Sequence, residues 1–258
     1  MRYWLAKNLI VVPLLRLLWR FEVHGVHNIP KKGAAIMASN HLAILDSAFV
    51  PGAIPRHVAF LGKEQLFTGK SLRARFVRSF LRAMGQLEID RSGGSKSAAA
   101  LGGGASVLRA GRLLGIYPEG TRSRDGRLHR GRTGIARVLL DEPALVVPVA
   151  VSGTDRILPK GAKFPKFGAR IIVTFGEPMD FSRYAGLAED RFVLRAITDE
   201  IMHEIARLSG QEYVDVYASN ARRDEAARTS AEGEGAFAPS PRVPAPTTVS
   251  VGGSQELA

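Results

Sequence analysis

Seven short β-rich runs, several followed by a helix-period segment, constrain this 258-residue chain more than any other feature. The runs are FEVHGV (21–26), AAIMAS (34–39), VAFLGK (58–63), QLEID (86–90), LLGIYP (113–118), ALVVPVAVS (144–152) and RIIVTFG (170–176). Helical patterns fall between several of them, over residues 46–53, 71–84, 95–110, 132–140 and 188–208. Strands alternating with helices predict an α/β domain, with a mixed, largely parallel sheet flanked by helices. The glycine cluster LGGGAS (101–106) weakens the third helix, since each interior glycine costs about 1 kcal/mol relative to alanine. In sheets of this kind active groups gather at the carboxyl ends of the strands. His41 comes just after one strand, Lys63 ends another, Arg91 follows a third, and Glu119 and Arg122 follow a fourth. These four clusters are expected around one crevice.

The chain reads in three parts: an apolar N-terminal segment (1–20), the α/β domain (21–218) and a tail (219–258). The tail loses all periodicity and is rich in Pro, Ala, Ser, Thr and Gly, as in APSPRVPAPTTVSVGGSQELA. Such a composition predicts disorder. The formal charge is +12. Residues 221–258 carry four Arg against five Asp and Glu, which leaves the preceding body at +13. A body that basic seeks a polyanion, either nucleic acid or an anionic membrane surface.

The N-terminus favours the membrane. From Trp4 to Trp19 the residues are apolar except Lys7, Asn8 and Arg16, and Pro13 interrupts the run. That length falls short of the ~20 residues that span a bilayer. A helix lying in the interface fits better, with Trp4 and Trp19 near headgroup depth and arginines reaching phosphates. The segment SLRARFVRSFLRAM (71–84) is a second basic amphipathic candidate. No aromatic-and-basic recognition motif supports nucleic acid as a partner.

Cysteine is absent, so disulfides, thiolate nucleophiles and Cys-based zinc sites are excluded. The six histidines show no zinc-ligand spacing with nearby carboxylates, and no metal is expected. TGKS (68–71) resembles the end of a phosphate-binding loop, but Glu64 stands where that loop requires glycine. There is no G-x-S-x-G elbow, and no covalent nucleophile is evident.

Two stretches remain. In ASNHLAILDSAFVP (38–51), His41 and Asp46 are five positions apart. On one helix they would lie roughly 140° apart around the axis, and on one strand they would face opposite sides. They meet only if His41 sits in a turn and Asp46 in the first turn of the next helix. In GIYPEGTRSRDGR (115–127), a strand runs into Glu119, Gly120, Thr121, Arg122 and Ser123 within one tight turn. Glycine lets backbone approach a ligand closely, and arginine offers a fork suited to phosphate oxygens.

These stretches, with two others, make the chain resemble the glycerolipid acyltransferases, and among them the 1-acylglycerol-3-phosphate (lysophosphatidic acid) acyltransferases. The N-H-x4-D motif stands at Asn40 to Asp46, G-x3-I-x-R at Gly85 to Arg91, E-G-T-R-S at Glu119 to Ser123, and V-P-V at Val147 to Val149. Their order and separations match over residues 20–180. One departure is Glu88, where the second motif often carries an aromatic residue.

The resemblance implies transfer of a fatty acyl group from acyl-CoA or acyl carrier protein to the free hydroxyl of lysophosphatidate, with no further cofactor. His41 would be the general base and Asp46 its orienting partner. Lys63, Arg91 and Arg122 would gather at the acceptor phosphate, with Glu119, Gly120, Thr121 and Ser123 completing the acceptor site. Partners would be the lysophospholipid, the acyl thioester and an anionic membrane surface, placing the protein on the cytoplasmic face of the cell membrane. Alternatives are the same chemistry on glycerol-3-phosphate, dihydroxyacetone phosphate or a lysoglycolipid, a non-catalytic basic membrane- or nucleic-acid-binding protein, and a hydrolase using His41 to activate water.

Overall fold

Alternate residues of the central strands pack on opposite faces of the sheet, and helices cover both. The structure is a computed structural model that describes residues 6–62, 75, 86–88, 96–157, 165–221 and 223. The main strands are β1 (Arg20–His24), β2 (Ala35–Ser39), β3 (Val58–Gly62), β4 (Gln86–Glu88), β5 (Leu113–Ile116), β7 (Leu145–Ser152) and β8 (Arg170–Phe175). Two shorter strands, β6 (Leu128–His129) and β9 (Tyr213–Val214), pair with each other. Helices are α1 (Val12–Leu18), α2 (Asp46–Ala53), α3 (Lys96–Arg109), α4 (Gly134–Asp141) and α5 (Arg191–Ser209).

The sheet runs β1-β8-β7-β2-β5-β3-β4. Five neighbouring strands, from β7 through β2, β5 and β3 to β4, are parallel. Strand β8 is antiparallel to β7, and β1 follows β8. The mixed, largely parallel sheet is therefore present, and the ends of β2, β5, β3 and β4 share one edge.

Strand β2 is buried at every position. Its Ala35 and Met37 pack on one face with Leu113, Val147 and Val149, beneath Leu15 of α1 and Phe49 of α2. Its Ile36 and Ala38 pack on the other with Leu114 and Val146, beneath α3, α4 and α5. Burial on both faces is what makes these strands continuous apolar runs. Helix α5 supplies the longest stripe, with Leu194, Ile197, Ile201, Met202 and Ile205 buried. It starts where Asp190 accepts from the N–H groups of Phe192 and Val193, and it stops at Gly210 with φ +66°.

Helix α3 continues through the glycine cluster. A Cβ on Gly104 would lie 3.2 Å from Leu114 and 3.3 Å from Val138, so the glycine lets the helix close on β5 and α4. Pro13 does not end the N-terminal helix either. It sits in the first turn of α1, where its missing N–H costs nothing, after a π-helical segment Ala6–Val11.

Trp19 is corrected relative to its expected place at headgroup depth. It is buried, edge-on to Phe49 at 5.6 Å, and its indole N–H donates to the Lys166 carbonyl. Trp4, Lys63, Arg91 and the segment 71–84 apart from Arg75 lie outside the described residues. Met1–Asn220 forms one compact unit and Ala221–Ala258 a second; of the latter only Ala221 and Arg223 are described.

Candidate active site

The loop between β2 and α2 closes on the Asp46 carboxylate. Its Oδ2 accepts from the N–H of Leu42 at 2.7 Å, the N–H of Ala43 at 2.9 Å and His41 Nδ1 at 2.8 Å. Its Oδ1 accepts from the Thr154 hydroxyl at 2.5 Å. Asp46 is fully buried and is the first residue of α2, where a negative charge also meets the positive end of the helix dipole. The five-residue spacing is thus the span of a loop that folds back on the first helical residue.

An ionised carboxylate only accepts, so it holds the proton on His41 Nδ1 and leaves Nε2 with its lone pair. Nε2 makes no hydrogen bond among the described residues. The His41 side chain retains 15% exposure. Beside it, Asn40 ties the end of β2 to β7: its amide oxygen accepts from Val151 N–H at 2.8 Å and its amide nitrogen donates to the Val151 carbonyl at 2.9 Å. The same nitrogen donates to Gln211 at 2.6 Å.

The E-G-T-R-S turn is bonded directly to this loop. Ser123 N–H donates to the His41 carbonyl at 2.7 Å. Glu119 is buried, and its two oxygens accept from the backbone N–H groups of His41 at 3.1 Å and His129 at 3.0 Å. Burial pushes its carboxyl up to about 7, against the pull of those two N–H donors. Gly120 has φ +72°, and a Cβ there would lie 3.0 Å from Cδ and Nε of Arg132. Glycine is needed for the backbone conformation and for the passage of that arginine.

Ser123 is also buried, and its hydroxyl donates to Asp125 at 2.9 Å. Burial raises the Asp125 carboxyl, but bonds from Arg127, His129 and Ser123 outweigh it and hold the group well below the usual carboxylate range. Glu119 and Ser123, expected around the acceptor, therefore have side chains engaged by the protein itself. They reach the site through the backbone they hold. Arg122 and Arg124 are exposed on the turn, and Thr121 is half-buried. Strands β3 and β4 stop at the shared edge immediately before or near Lys63 and Arg91, whose own positions are not described.

Sequence reasoning missed Thr154, Asn40 as a β2–β7 tie, His129, Gln211 and Tyr117. Tyr117 alone had a local signal, as an aromatic residue two positions before Glu119 at the end of a predicted strand. No group of three or more potential metal ligands occurs among the described residues.

A family model described as Acyltransferase matches residues 20–152. A 1-acyl-sn-glycerol-3-phosphate acyltransferase of Borreliella burgdorferi is 32% identical over 142 residues, which is 55% of each chain. One from Bacillus subtilis is 28% identical over 195 residues, covering 74% of this chain and 88% of that one. The chain thus spans about half the length of the first relative and most of the second. The crystal structure of the 1-acyl-sn-glycerophosphate (LPA) acyltransferase PlsC from Thermotoga maritima superposes with a TM-score of 0.59 over 78% of both chains, at 23% identity. That likeness establishes the α/β architecture. With 133 of 258 residues inside the family match, the chain belongs to the Acyltransferase family, the glycerolipid acyltransferases that its motifs resemble.

Proposed function

We propose that the protein acylates the free hydroxyl of 1-acyl-sn-glycerol 3-phosphate, using a fatty acyl thioester and giving phosphatidate. The observation that carries this reading is His41, its Nδ1 bound to buried Asp46 at 2.8 Å and its Nε2 without a hydrogen bond among the described residues. Nε2 takes the proton of the acceptor hydroxyl as that oxygen attacks the thioester carbonyl carbon. The C–S bond then breaks, and the imidazolium returns the proton to the departing thiolate. Positioned proton transfer of this kind is worth ~10²–10⁴-fold in rate. Arg122, in the turn that Glu119 and Ser123 bond to the His41 backbone, supplies the cation for the acceptor phosphate, with Lys63 and Arg91 assisting. No cofactor or metal takes part.

The membrane supplies the acceptor, and the N-terminal segment is the surface that meets it. Leu9, Ile10, Leu14 and Leu17 are exposed while Leu15 is buried against the sheet. Lys7 is buried too, its ammonium donating to the Ile54 carbonyl at the end of α2, and burial lowers it to about 8. The segment is thus docked on one side and apolar on the other, as an interfacial helix on the cytoplasmic leaflet requires. No helix among the described residues is long and apolar enough to cross a membrane.

The test is thiol release from palmitoyl-CoA by purified protein in mixed micelles, with and without lysophosphatidate. Release that depends on the lysolipid, with phosphatidate as product, supports the reading. Release without acceptor identifies a thioesterase and overturns it. Lysolipid-dependent release that survives His41→Ala above one tenth of the original rate removes His41 as base.

A further inference from the structure

Three aromatic rings form a column that ends on the catalytic imidazole. The Tyr117 ring lies 3.9 Å from the His41 ring, centroid to centroid, with planes only 13° apart. Phe60, buried in the core, continues the stack on Tyr117 at 5.2 Å and 26°. The column depends on a glycine. Phe60 of β3 stands opposite Gly115 of β5, and a Cβ on Gly115 would lie 2.4 Å from the Phe60 ring. Any side chain at 115 would drive Phe60 out of the plane that supports Tyr117.

We propose that Tyr117 is a positioning residue for His41. Its ring face fixes the plane in which Asp46 aligns the imidazole, and it stabilises the imidazolium formed when the acceptor hydroxyl loses its proton. This rests on the reading of His41 as general base. A cation held against a tyrosine face gains electrostatic attraction that the neutral ring does not, so the gain appears as the charge develops. Two bonds to the ring define an orientation: the Asp46 contact fixes Nδ1, and the stack fixes rotation about that contact.

The chemistry of the phenol agrees. Its hydroxyl is buried beside Ser47 and Asp46 without a hydrogen bond of acceptable geometry among the described residues. Burial first, and the Asp46 charge second, push the phenol well above its ordinary value, so the ring stays neutral. A buried hydroxyl without a partner costs stability rather than adding to it. The ring is therefore the part of Tyr117 that acts on His41.

The experiment compares Tyr117→Leu, Tyr117→Met and Tyr117→Phe in the full-length protein. Steady-state kinetics with lysophosphatidate and palmitoyl-CoA are paired with proton NMR of the His41 ring, assigned by its loss in His41→Ala. Losing the cation–π contact should lower kcat about five- to thirtyfold in the Leu and Met variants. The KM for lysophosphatidate should stay within about twofold of wild type, because the stack acts on a charge absent from the ground state. The upfield ring-current shift of the His41 protons should disappear in both variants, and Tyr117→Phe should rescue rate and shift together. Met serves as the folded control should Leu fail to fold. A Leu or Met variant with kcat within twofold of wild type overturns the proposal. So does a Phe variant as slow as Leu, which would transfer the role to the hydroxyl. If wild type itself transfers nothing, the functional reading fails, while the NMR comparison still decides whether the stack exists.

Discussion

Replacing Asp46 with asparagine isolates the charge of the carboxylate from its geometry. In the protein, Oδ2 receives three donors and Oδ1 one. An asparagine has one acceptor oxygen and one donor NH₂, so only one orientation suits the site. Placing the oxygen at the Oδ2 position keeps the bonds from Leu42 N–H, Ala43 N–H and His41 Nδ1–H. The amide NH₂ then meets Thr154, whose hydroxyl can turn to accept. The flipped orientation would set NH₂ against two backbone N–H groups. The backbone thus selects the orientation that preserves the histidine tautomer. In the Ser-His-Asp triad the equivalent change inverts the tautomer and lowers kcat about 10⁴-fold. Here the loss should be smaller. What disappears is the attraction between carboxylate and imidazolium, about 4 kcal/mol at ~4 Å with an effective dielectric of about 20. With His41 partly open to water, that predicts a fall in kcat of about 10²–10³-fold.

The assay is lysophosphatidate-dependent thiol release alongside a thermal melt. Asp46→Asn should melt within a few degrees of wild type, because all four contacts keep a partner. Asp46→Ala is a poor substitute, since it strands the buried Thr154 hydroxyl and two backbone donors. At about 1–3 kcal/mol each, that approaches the whole stability of an ordinary domain. A folded Asp46→Asn protein with kcat within tenfold of wild type would refute the charge argument. A loss as large as 10⁴-fold would mean the backbone does not select the amide orientation.

Arg122→Ala should chiefly raise the KM for lysophosphatidate and leave the KM for palmitoyl-CoA unchanged; an unaltered acceptor KM would place the phosphate elsewhere. Gly120→Ala forces a side chain into φ +72° and against Arg132 at 3.0 Å. The left-handed conformation alone costs about 1–2 kcal/mol, so the melting temperature should fall by about 2–8 °C, with a raised acceptor KM. Glu119 makes stability depend on pH in an unusual direction. Its carboxyl is raised from 4.5 to about 7 by burial, so between those values the folded protein binds more protons than the unfolded chain. Stability should therefore be almost fully present below pH ~4.5 and fall by roughly 3 kcal/mol as pH rises through 7, levelling off about one pH unit above it. Urea unfolding of wild type and Glu119→Gln at pH 5, 6 and 7.5 checks this, the glutamine variant being flat across the window.

The sheet was legible in the sequence because burial on both faces writes itself as apolar runs. The strands at Ala35–Ser39 and Leu145–Ser152, and the helix Asp46–Ala53, fall where the pattern puts them. The glycines of α3 misled because propensity does not register tertiary packing: Gly104 is small where Leu114 and Val138 come close. The two-residue strands β6 and β9 are too short to carry a period. In the site, the His41–Asp46 contact was legible because it is local. Thr154 meets Asp46 across 108 positions, and Asn40 meets Val151 across 111 and Gln211 across 171. No local pattern reports a partner that distant. Glu119 shows the same limit from the other side, since a charged residue in a turn looks exposed until the fold presents two backbone N–H groups to it.

These long-range ties explain why motifs so far apart in the chain must keep their order. Three different segments deliver the groups that hold His41, directly or through Asp46. Asp46 comes from its own loop, Tyr117 from the end of β5, Glu119 from the turn beyond it, and Thr154, acting through Asp46, from beyond β7. Strands β5, β2 and β7 are adjacent and parallel, so their carboxyl ends arrive at one edge without any crossing of connections. A permuted strand order would leave each motif intact and the imidazole unsupported. The placement of a single histidine therefore depends on sheet topology, and the Asn40 bonds to Val151 hold that topology together directly beside the His41 ring.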